Sequence, residues 1–329
     1  MEFSTTQSDL STPAERQKAL NLIQTIAPSA AIDKTDYMWE FSGAEKGATV
    51  SVLGLIHGDE TVGFHVIETL IKIAQEKGVF RGKLKLILGN IKAFIEGERF
   101  LEENMNRVFD KKNRIEIKEE TKRAQEIEPH LKESDVTLDA HSTRAPSPLG
   151  AFIVIPGKFE GYESVIKKLG ISKVIIGDAL FSPDGRAFTT DTFTNKHGGL
   201  GVTIEAGWQG DQKTFEVIEG ILAALTELDI FEENLTPEVN TSVENNEMEI
   251  WDAYSRLTSN EEVCWVHECT NFDTVEAGTT LAVTKNGKEI KAKPKPGHEN
   301  NEIVIIFPKR ITDTAIPPGT ELCLLSHKK

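Results

Sequence analysis

The chain has 329 residues, enough for one large domain and a smaller one, and its 39% of hydrophobic residues is ordinary for a globular protein. The formal net charge of −15 argues against a protein that binds nucleic acid or anionic membranes, because such proteins need a basic face. No apolar run approaches the ~20 residues needed to cross a bilayer, and the first residues have neither a basic flank nor an apolar signal core. These features predict a cytoplasmic protein.

Helix-like and strand-like patterns alternate along the first two thirds of the chain. A capping box with a proline at residues 12–15 predicts a helix that ends before Pro28, and Trp39 and Phe41 then indicate an edge strand. Apolar runs predict further strands at residues 50–56, 83–88, 135–140, 152–155, 174–176 and 202–204. Helical spacing predicts helices at residues 59–74, 117–132, 159–169 and 214–228. This order predicts an α/β fold with a mainly parallel or mixed sheet covered by helices on both faces.

The composition changes at residues 232–247, which are polar and acidic and have no apolar period. Beyond them, short apolar runs alternate with glycine and proline turns, and Asn286-Gly287 is a strong hairpin signal. The predicted strands are residues 263–266, 280–283, 303–307 and 322–325. We therefore predict an α/β domain of residues 1–235. Residues 236–329 would form a linker and a small all-β domain that starts near residue 245.

Two histidines and one glutamate come at the carboxyl ends of predicted strands. His57 and Glu60 lie three residues apart where a strand gives way to a helix, and His141 directly follows the strand of residues 135–140. Ligands of α/β sheets bind at this edge, and two histidines with one glutamate are a known ligand set of catalytic zinc. Each histidine taken alone is equally well explained by a structural hydrogen bond. Asp59 is predicted to cap the helix.

Other charged residues are candidates for the chemistry that would accompany a metal ion. Glu205 ends a buried strand and would take a proton from a water molecule, or else form a structural ion pair with an arginine. Asp139 would orient the imidazole of His141, or cap a loop. Arg99 and Arg107 lie in a glutamate-rich loop. There they would stabilise an oxyanion and clamp a substrate carboxylate, or only balance surface charge.

Together these motifs resemble the succinylglutamate desuccinylase/aspartoacylase family, a branch of the zinc carboxypeptidase-like fold. The resemblance covers roughly residues 48–228 and rests on the order and spacing of the motifs, while the C-terminal β region is similar to the C-terminal domain of the family. The motifs are Gly54-x-x-His57-Gly58-Asp59-Glu60, Arg99, Asn106-Arg107, Asp139-Ala140-His141 and Ile204-Glu205-Ala206-Gly207.

The resemblance implies a metal centre and a base. It implies that His57, Glu60 and His141 bind one zinc ion per chain. Glu205 would be the general base and then the general acid to the leaving amine. Arg99 would polarise the scissile carbonyl and stabilise the oxyanion.

The resemblance is less complete for substrate binding. It implies that Asn106 and Arg107 hold a substrate carboxylate. No basic residue stands unmistakably where aspartoacylases have their second substrate arginine, so several remain as candidates: Arg144, Arg186 and Lys196. The chain also departs from the family at Asn104, where aspartate is frequent, and at Ala140, where leucine is usual.

The motifs therefore predict a zinc-dependent hydrolase that cleaves the amide bond of a small acidic N-acyl amino acid, with neither nucleic acid nor membrane as a partner. A homo-oligomer is compatible with the sequence. The rival is a zinc carboxypeptidase acting on short peptides, because the same ligands and arginine clamp serve both reactions. The small β domain, if it covers the site, favours small substrates. A non-catalytic zinc- or dicarboxylate-binding protein is a weaker rival, since binding alone needs neither Glu205 nor Arg99.

Overall fold

The computed structural model describes residues 8–32, 37–111, 117–156, 160–161, 163–177, 180, 188–209, 213–232, 247–310 and 315–329. The described α-helices are α1 (Pro13–Ile26), α2 (Val62–Lys77), α3 (Ile91–Glu96), α4 (Glu119–Lys132), α5 (Glu163–Lys168), α6 (Thr190–Lys196) and α7 (Thr214–Glu227). The described strands of the first part are β1 (Met38–Ser42), β2 (Glu45–Gly54), β3 (Arg81–Leu88), β4 (Val136–Thr143), β5 (Phe152–Val154), β6 (Lys173–Ile176) and β7 (Leu200–Trp208). Those of the C-terminal part are β8 (Glu249–Thr258), β9 (Val263–Trp265), β10 (Thr274–Val275), β11 (Thr280–Thr284), β12 (Glu289–Lys291), β13 (Ile303–Ile306) and β14 (Glu321–Lys328).

Eleven of the described strands form one mixed sheet, in the order β1-β3-β2-β4-β7-β5-β6-β8-β14-β13-β10. Its centre is parallel, because β3, β2, β4 and β7 run side by side in the same direction. The antiparallel strand β1 closes one edge, where Trp39 and Phe41 predicted an edge strand. The sheet therefore brings the carboxyl ends of β2, β4 and β7 together at one edge, where ligands of such sheets bind.

Apolar cores lie on both faces of this sheet. Val50 and Val52 of β2 pack with residues of α1, α2, α5 and α7, whereas Leu53 faces a core that includes residues of α4 and α6. This alternation is the two-residue period of a strand that is buried on both sides. The predicted mixed sheet with helices on both faces is confirmed. Of the described helices, none is both long and apolar enough to cross a lipid bilayer.

The described part of the chain after residue 246 has strands as its regular elements, so the prediction of a C-terminal β region is confirmed. Three of these strands, β9, β11 and β12, form a separate antiparallel sheet, and the Asn286-Gly287 turn joins β11 to β12. The other four extend the large sheet, because β8 pairs in parallel with β6. The predicted domain boundary at residue 235 lies outside the described residues.

The described elements that the sequence patterns did not predict include the helices α3 and α6 and the strand β8. The two helices have 6 and 7 residues, which is too short for an apolar period to repeat. The first five residues of α6 are all buried although four of them are polar. This helix is therefore held by hydrogen bonds rather than by an apolar face, and those hydrogen bonds lie next to the candidate site.

The junction between β2 and α2 depends on close backbone contact at Gly54. A Cβ atom at Gly54 would lie 2.3 Å from the carbonyl oxygen of Gly63, in the first turn of α2. We expect Gly54→Ala to lower the free energy of unfolding by about 3 kcal/mol or more, the upper end of the range for overpacking, as measured by denaturant titration. Gly78→Ala is the control, because Gly78 has a φ of 74° and open space around its Cβ position. Its ψ of 173° places it in a backbone region essentially reserved for glycine, so this control should lose about 1–3 kcal/mol from backbone strain alone. A loss in Gly54→Ala no larger than that of the control would contradict the contact.

Candidate active site

The turn after β2 carries two of the predicted residues. Leu55 is fully buried and has a φ of 57°, a strained conformation for a leucine, which redirects the chain at the end of the strand. The N–H of Gly58 donates to the carbonyl oxygen of Arg99 over 3.0 Å, and a Cβ atom at Gly58 would lie 2.4 Å from the backbone of Ala93. The tight turn brings His57 and Glu60 into the interior.

His57, Glu60 and His141 form one buried group. One ligand atom of each lies within 4.8 Å of the others. His57 Nδ1 is 3.0 Å from Glu60 Oε1, and His141 Nδ1 is 2.8 Å from Glu60 Oε2. The two Nδ1 atoms are 3.2 Å apart. Both imidazoles therefore turn the same nitrogen toward a single point.

The opposite nitrogen of each imidazole faces an oxygen acceptor. His141 Nε2 lies 2.9 Å from Asp139 Oδ2, and His57 Nε2 lies 3.1 Å from Asn104 Oδ1. An acceptor at Nε2 favours the tautomer that has its proton there and a lone pair on Nδ1. These two partners thus favour a lone pair on both Nδ1 atoms, the form in which an imidazole can bind a metal ion. Asn104 stands where the family frequently has aspartate, so the two histidines have unequal partners.

Charge differs sharply between the two imidazoles. Burial lowers the pKa of His57 to about 4, and Arg99 acts in the same direction, so this imidazole is neutral. Burial would also lower the pKa of His141, but the carboxylates of Asp139 and Glu60 outweigh it and raise that pKa well above its usual value. A proton on His141 Nδ1 and a metal ion are alternatives at the same position, so metal binding would release this proton.

Glu205 lies on β7 directly opposite His141 in the parallel register of β4 and β7. It is buried, and its Oε2 has no hydrogen-bond partner among the described residues. Burial raises its pKa to about 8, although His141 acts in the opposite direction. A structural ion pair with an arginine, the alternative considered from the sequence, is not found for Glu205 among the described residues.

Arg99 and Asp59 lie beside the His57–Glu60–His141 group. Arg99 Nη1 is 2.5 Å from Glu60 Oε1 and 3.9 Å from Asp59 Oδ1. The prediction that Asp59 caps the helix is wrong, because α2 begins after Thr61 and has no side-chain cap. Instead Asp59 lies between two guanidinium groups, since Arg144 Nε is also 3.9 Å from it. Burial raises the pKa of Asp59.

Asn106 and Arg107 lie in the short 3-10 helix Met105–Arg107, which the side chain of Asn104 caps. Arg107 is solvent-exposed, yet enough protein surrounds its guanidinium to lower its pKa to about 10. It donates to the carbonyl oxygen of Asn106 over 2.7 Å and lies 5.1 Å from the ring centre of Phe188. Arg256 from β8 lies 5.7 Å from the same ring. Arg107 is therefore a cation in a cleft that solvent reaches.

The three further basic candidates have different outcomes. Arg144 is half exposed and approaches Asp59, as described above. Lys196, at the end of α6, forms an ion pair with Asp110 Oδ2 over 2.5 Å. Asp110 lies three residues after Arg107 in the sequence. Arg186 lies outside the described residues. Lys309, which the sequence patterns did not single out, is close enough to Arg144 and Arg99 that both add to the lowering of its pKa by burial.

Sequence patterns also missed Thr190 and the role of Asn104. Thr190 donates its hydroxyl to Asp139 Oδ2 over 2.5 Å, and it begins the unpredicted helix α6. The run Thr189-Thr190-Asp191-Thr192 has the composition of a helix start, which was the available signal. Asn104 was noted only as a departure from the family motif.

The donor set fits a metal ion. The Nδ1 atoms of His57 and His141 lie 3.2 Å apart, and Glu60 brings a carboxylate oxygen to the same point, so all three ligand atoms can reach a single ion. Two histidine nitrogens and a carboxylate oxygen are donors that suit zinc, with a further position left for water or substrate.

The mixed sheet and the His-Glu-His group at its carboxyl edge define an α/β protein with a candidate metal centre. The model of the succinylglutamate desuccinylase/aspartoacylase catalytic domain matches residues 46–227, more than half of the chain. The chain therefore belongs to the succinylglutamate desuccinylase/aspartoacylase family, and the resemblance predicted from the motifs is confirmed.

Relatives and solved structures agree with this assignment. A succinylglutamate desuccinylase from Serratia proteamaculans is 28% identical over 46% of this chain and 49% of that protein, so the match spans about half of the relative's length. One from Shewanella woodyi is 24% identical over 85% of this chain and 82% of that protein. The structure of the Vibrio parahaemolyticus enzyme has a TM-score of 0.69 at 18% identity, covering 89% of this chain and 86% of that one. A product-bound ectoine utilization protein from Ruegeria pomeroyi has a TM-score of 0.61 at 17% identity, covering 90% and 92%. Both structures share the fold.

Proposed function

We propose that this chain is a zinc-dependent hydrolase that deacylates a small N-acyl amino acid by cleaving its amide bond. The observation that carries the proposal is the convergence of His57, Glu60, His141 and Glu205 at the ends of three neighbouring parallel strands. Membership of the family supports it, as do the desuccinylases among the relatives.

His57, Glu60 and His141 would hold the zinc ion, one per chain. When bound there, the ion would make a water molecule more acidic and polarise a carbonyl group. Asp139 and Asn104 would keep Nδ1 of each imidazole turned toward the ion by accepting the proton on Nε2.

Glu205 would move the proton. The Oε2 of its buried carboxyl group has no hydrogen-bond partner among the described residues, so it is left to accept a hydrogen bond from a bound water molecule. In the metal-free chain burial raises the pKa of Glu205 to about 8, so its carboxyl group holds a proton at neutral pH. This pKa would be lower beside a bound zinc ion, which would leave the carboxylate able to act as a base. It would accept a proton from the attacking water and deliver it to the leaving amine. Arg99, paired with Glu60, would stabilise the negative charge that develops on the carbonyl oxygen.

The charge of the cleft favours an acidic substrate. The chain has a net charge of −15, yet the cations Arg99, Arg144 and Lys309 gather beside the candidate centre. Arg107 has one protein hydrogen bond among the described residues, to a backbone oxygen, and so keeps donors for a substrate carboxylate. Asn106 would assist from the same turn.

The C-terminal β region would cover this cleft and limit it to small substrates. Asn271 donates its Nδ2 to the carbonyl oxygens of Ala145 and Pro146, each over 3.2 Å, in the loop that follows β4. Because that loop follows directly after His141 and Arg144, these hydrogen bonds hold the C-terminal region at the rim of the site. We propose residues 1–235 as the catalytic part and residues 236–329 as the linker and cover.

The zinc-loaded protein should hydrolyse members of a panel of N-acetyl and N-succinyl amino acids, with release of the free amine as the measured signal. Matched amides without the α-carboxylate should be poor substrates.

Arg107→Met should raise KM for the good substrates roughly 10–100-fold, because a charged hydrogen bond contributes ~1.5–3 kcal/mol. Arg81→Met is the control, since Arg81 begins β3 at the far end of the sheet and pairs with Glu45.

Other outcomes of this panel would reject the proposal. Faster cleavage of short peptides than of any acyl amino acid would indicate the carboxypeptidase. Saturable binding of acyl amino acids without turnover would indicate a binding protein.

A further inference from the structure

Thr190 is a buried residue to which the chemistry proposed above assigns no role. It is the first residue of α6, and its relative exposure is 0%. Its hydroxyl donates to Asp139 Oδ2 over 2.5 Å, and its backbone N–H donates to Asn106 Oδ1 over 3.3 Å. Water does not compete for these hydrogen bonds, so they restrain their acceptors more than exposed ones would.

The hydroxyl of Thr190 acts on the candidate metal group through Asp139. The donors to Asp139 among the described residues are Thr190 and His141, and both reach Oδ2. Its other oxygen, Oδ1, has no partner among them. Without the hydroxyl, the carboxylate keeps a single hydrogen bond and is free to rotate about it. The direction of His141 Nδ1 would then be less well determined.

The backbone N–H of Thr190 acts on the substrate side. Asn106 is held by this N–H, and the next residue in the same turn is Arg107, the proposed carboxylate clamp. Thr190 itself is held firmly, because α6 is bonded to two strands. Thr194 donates to Thr137 on β4 over 2.9 Å, and Asp191 accepts from Thr203 on β7 over 2.8 Å.

We propose that Thr190 is a positioning residue that joins the His57–Glu60–His141 group to the turn of Asn106 and Arg107. Its two hydrogen bonds keep the metal ligands and the substrate clamp at a fixed separation. This inference rests on the proposed function, because it gives Thr190 a role at the proposed zinc site.

Two substitutions separate the two hydrogen bonds. Thr190→Val removes the hydroxyl and keeps the N–H. Zinc affinity should therefore fall roughly tenfold, the lower end of the loss seen when a hydrogen-bond partner of a metal ligand is removed. KM should stay unchanged. Thr190→Pro removes both, so KM should rise as well. Proline suits this first helical position, and Thr189 has the extended backbone (φ −107°, ψ 164°) that proline requires of its predecessor. Zinc affinity is measured by competition with a chromophoric chelator.

Two further variants are the controls. Thr190→Ser keeps the hydroxyl and should restore zinc affinity to within about twofold of wild type. Thr194→Val removes an equally buried threonine hydroxyl one turn later in α6, where the partners are Thr137 and the backbone carbonyl oxygen of Thr190 rather than Asp139. Equal losses of zinc affinity in Thr190→Val and Thr194→Val, or no loss in either, would overturn the positioning role.

A measurement on the metal-free protein separates this inference from the proposed function. Nitrogen-15 NMR of the histidine side chains reports the proton on His141 Nε2 directly. Thr190→Val should shift that resonance or broaden it, whereas Thr194→Val should not. If wild type bound no zinc, the proposed function would fall, and an unchanged His141 signal would overturn the role of Thr190.

Discussion

Glu205→Gln should lower kcat at least ~100-fold while the protein still binds zinc and substrate. The factor is the contribution typical of general acid–base groups, because an amide cannot accept the proton of the attacking water. Gln has the size of Glu, and burial already disfavours the charged carboxylate, as the pKa of about 8 shows. We therefore expect the melting temperature to be no lower than that of wild type. Steady-state kinetics, zinc content and thermal unfolding check the three parts.

The control for this variant is Glu216→Gln, an exposed glutamate in the first turn of α7. It makes the same change from Glu to Gln at the surface, without touching the cleft, and should keep the wild-type kcat. Wild-type turnover in Glu205→Gln would remove Glu205 from the mechanism. A proportional loss of zinc would instead make it a metal ligand.

The sequence predicted those residues of the site whose positions follow from the order of strands and helices along the chain. His57, Glu60, His141 and Glu205 each stand at the end of an apolar run, and parallel strands bring their carboxyl ends together. The same logic correctly predicted the central strands of the sheet. Asp59 was assigned wrongly because the turn at Leu55 and Gly58 delays the start of α2 to Val62.

What the sequence could not predict depends on contacts between distant segments. Thr190 contacts Asp139, 51 residues earlier, and nothing in the run of threonines specifies that partner. The pairing of β8 with β6 likewise joins strands on either side of an acidic linker. Some of the C-terminal strands, which the sequence predicted as a separate domain, therefore extend the main sheet. Strand pairing across a long connection follows from packing, which local periodicity does not record.

The two histidines of the metal centre should differ in what their removal does to the metal-free protein. His57→Asn and His141→Asn should each lower zinc affinity at least ~100-fold, because loss of a direct ligand exceeds the loss of an outer partner. Without metal, the carboxylates of Asp139 and Glu60 hold the pKa of His141 well above its usual value, whereas burial lowers that of His57 to about 4. We therefore expect His141 to be charged and His57 to be neutral in the metal-free protein. His141→Asn therefore leaves two buried carboxylates without their shared cation.

That difference should appear as a difference in melting temperature. Removing one partner of a buried ion pair costs about 3–5 kcal/mol, so His141→Asn should melt about 4–7 °C below metal-free wild type. His57→Asn removes an uncharged imidazole and should melt within about 2 °C of it. Calorimetry after exhaustive chelation measures both. Equal melting temperatures for the two variants would show that His141 is neutral in the metal-free chain. Unchanged zinc affinity in either variant would remove that histidine from the metal centre.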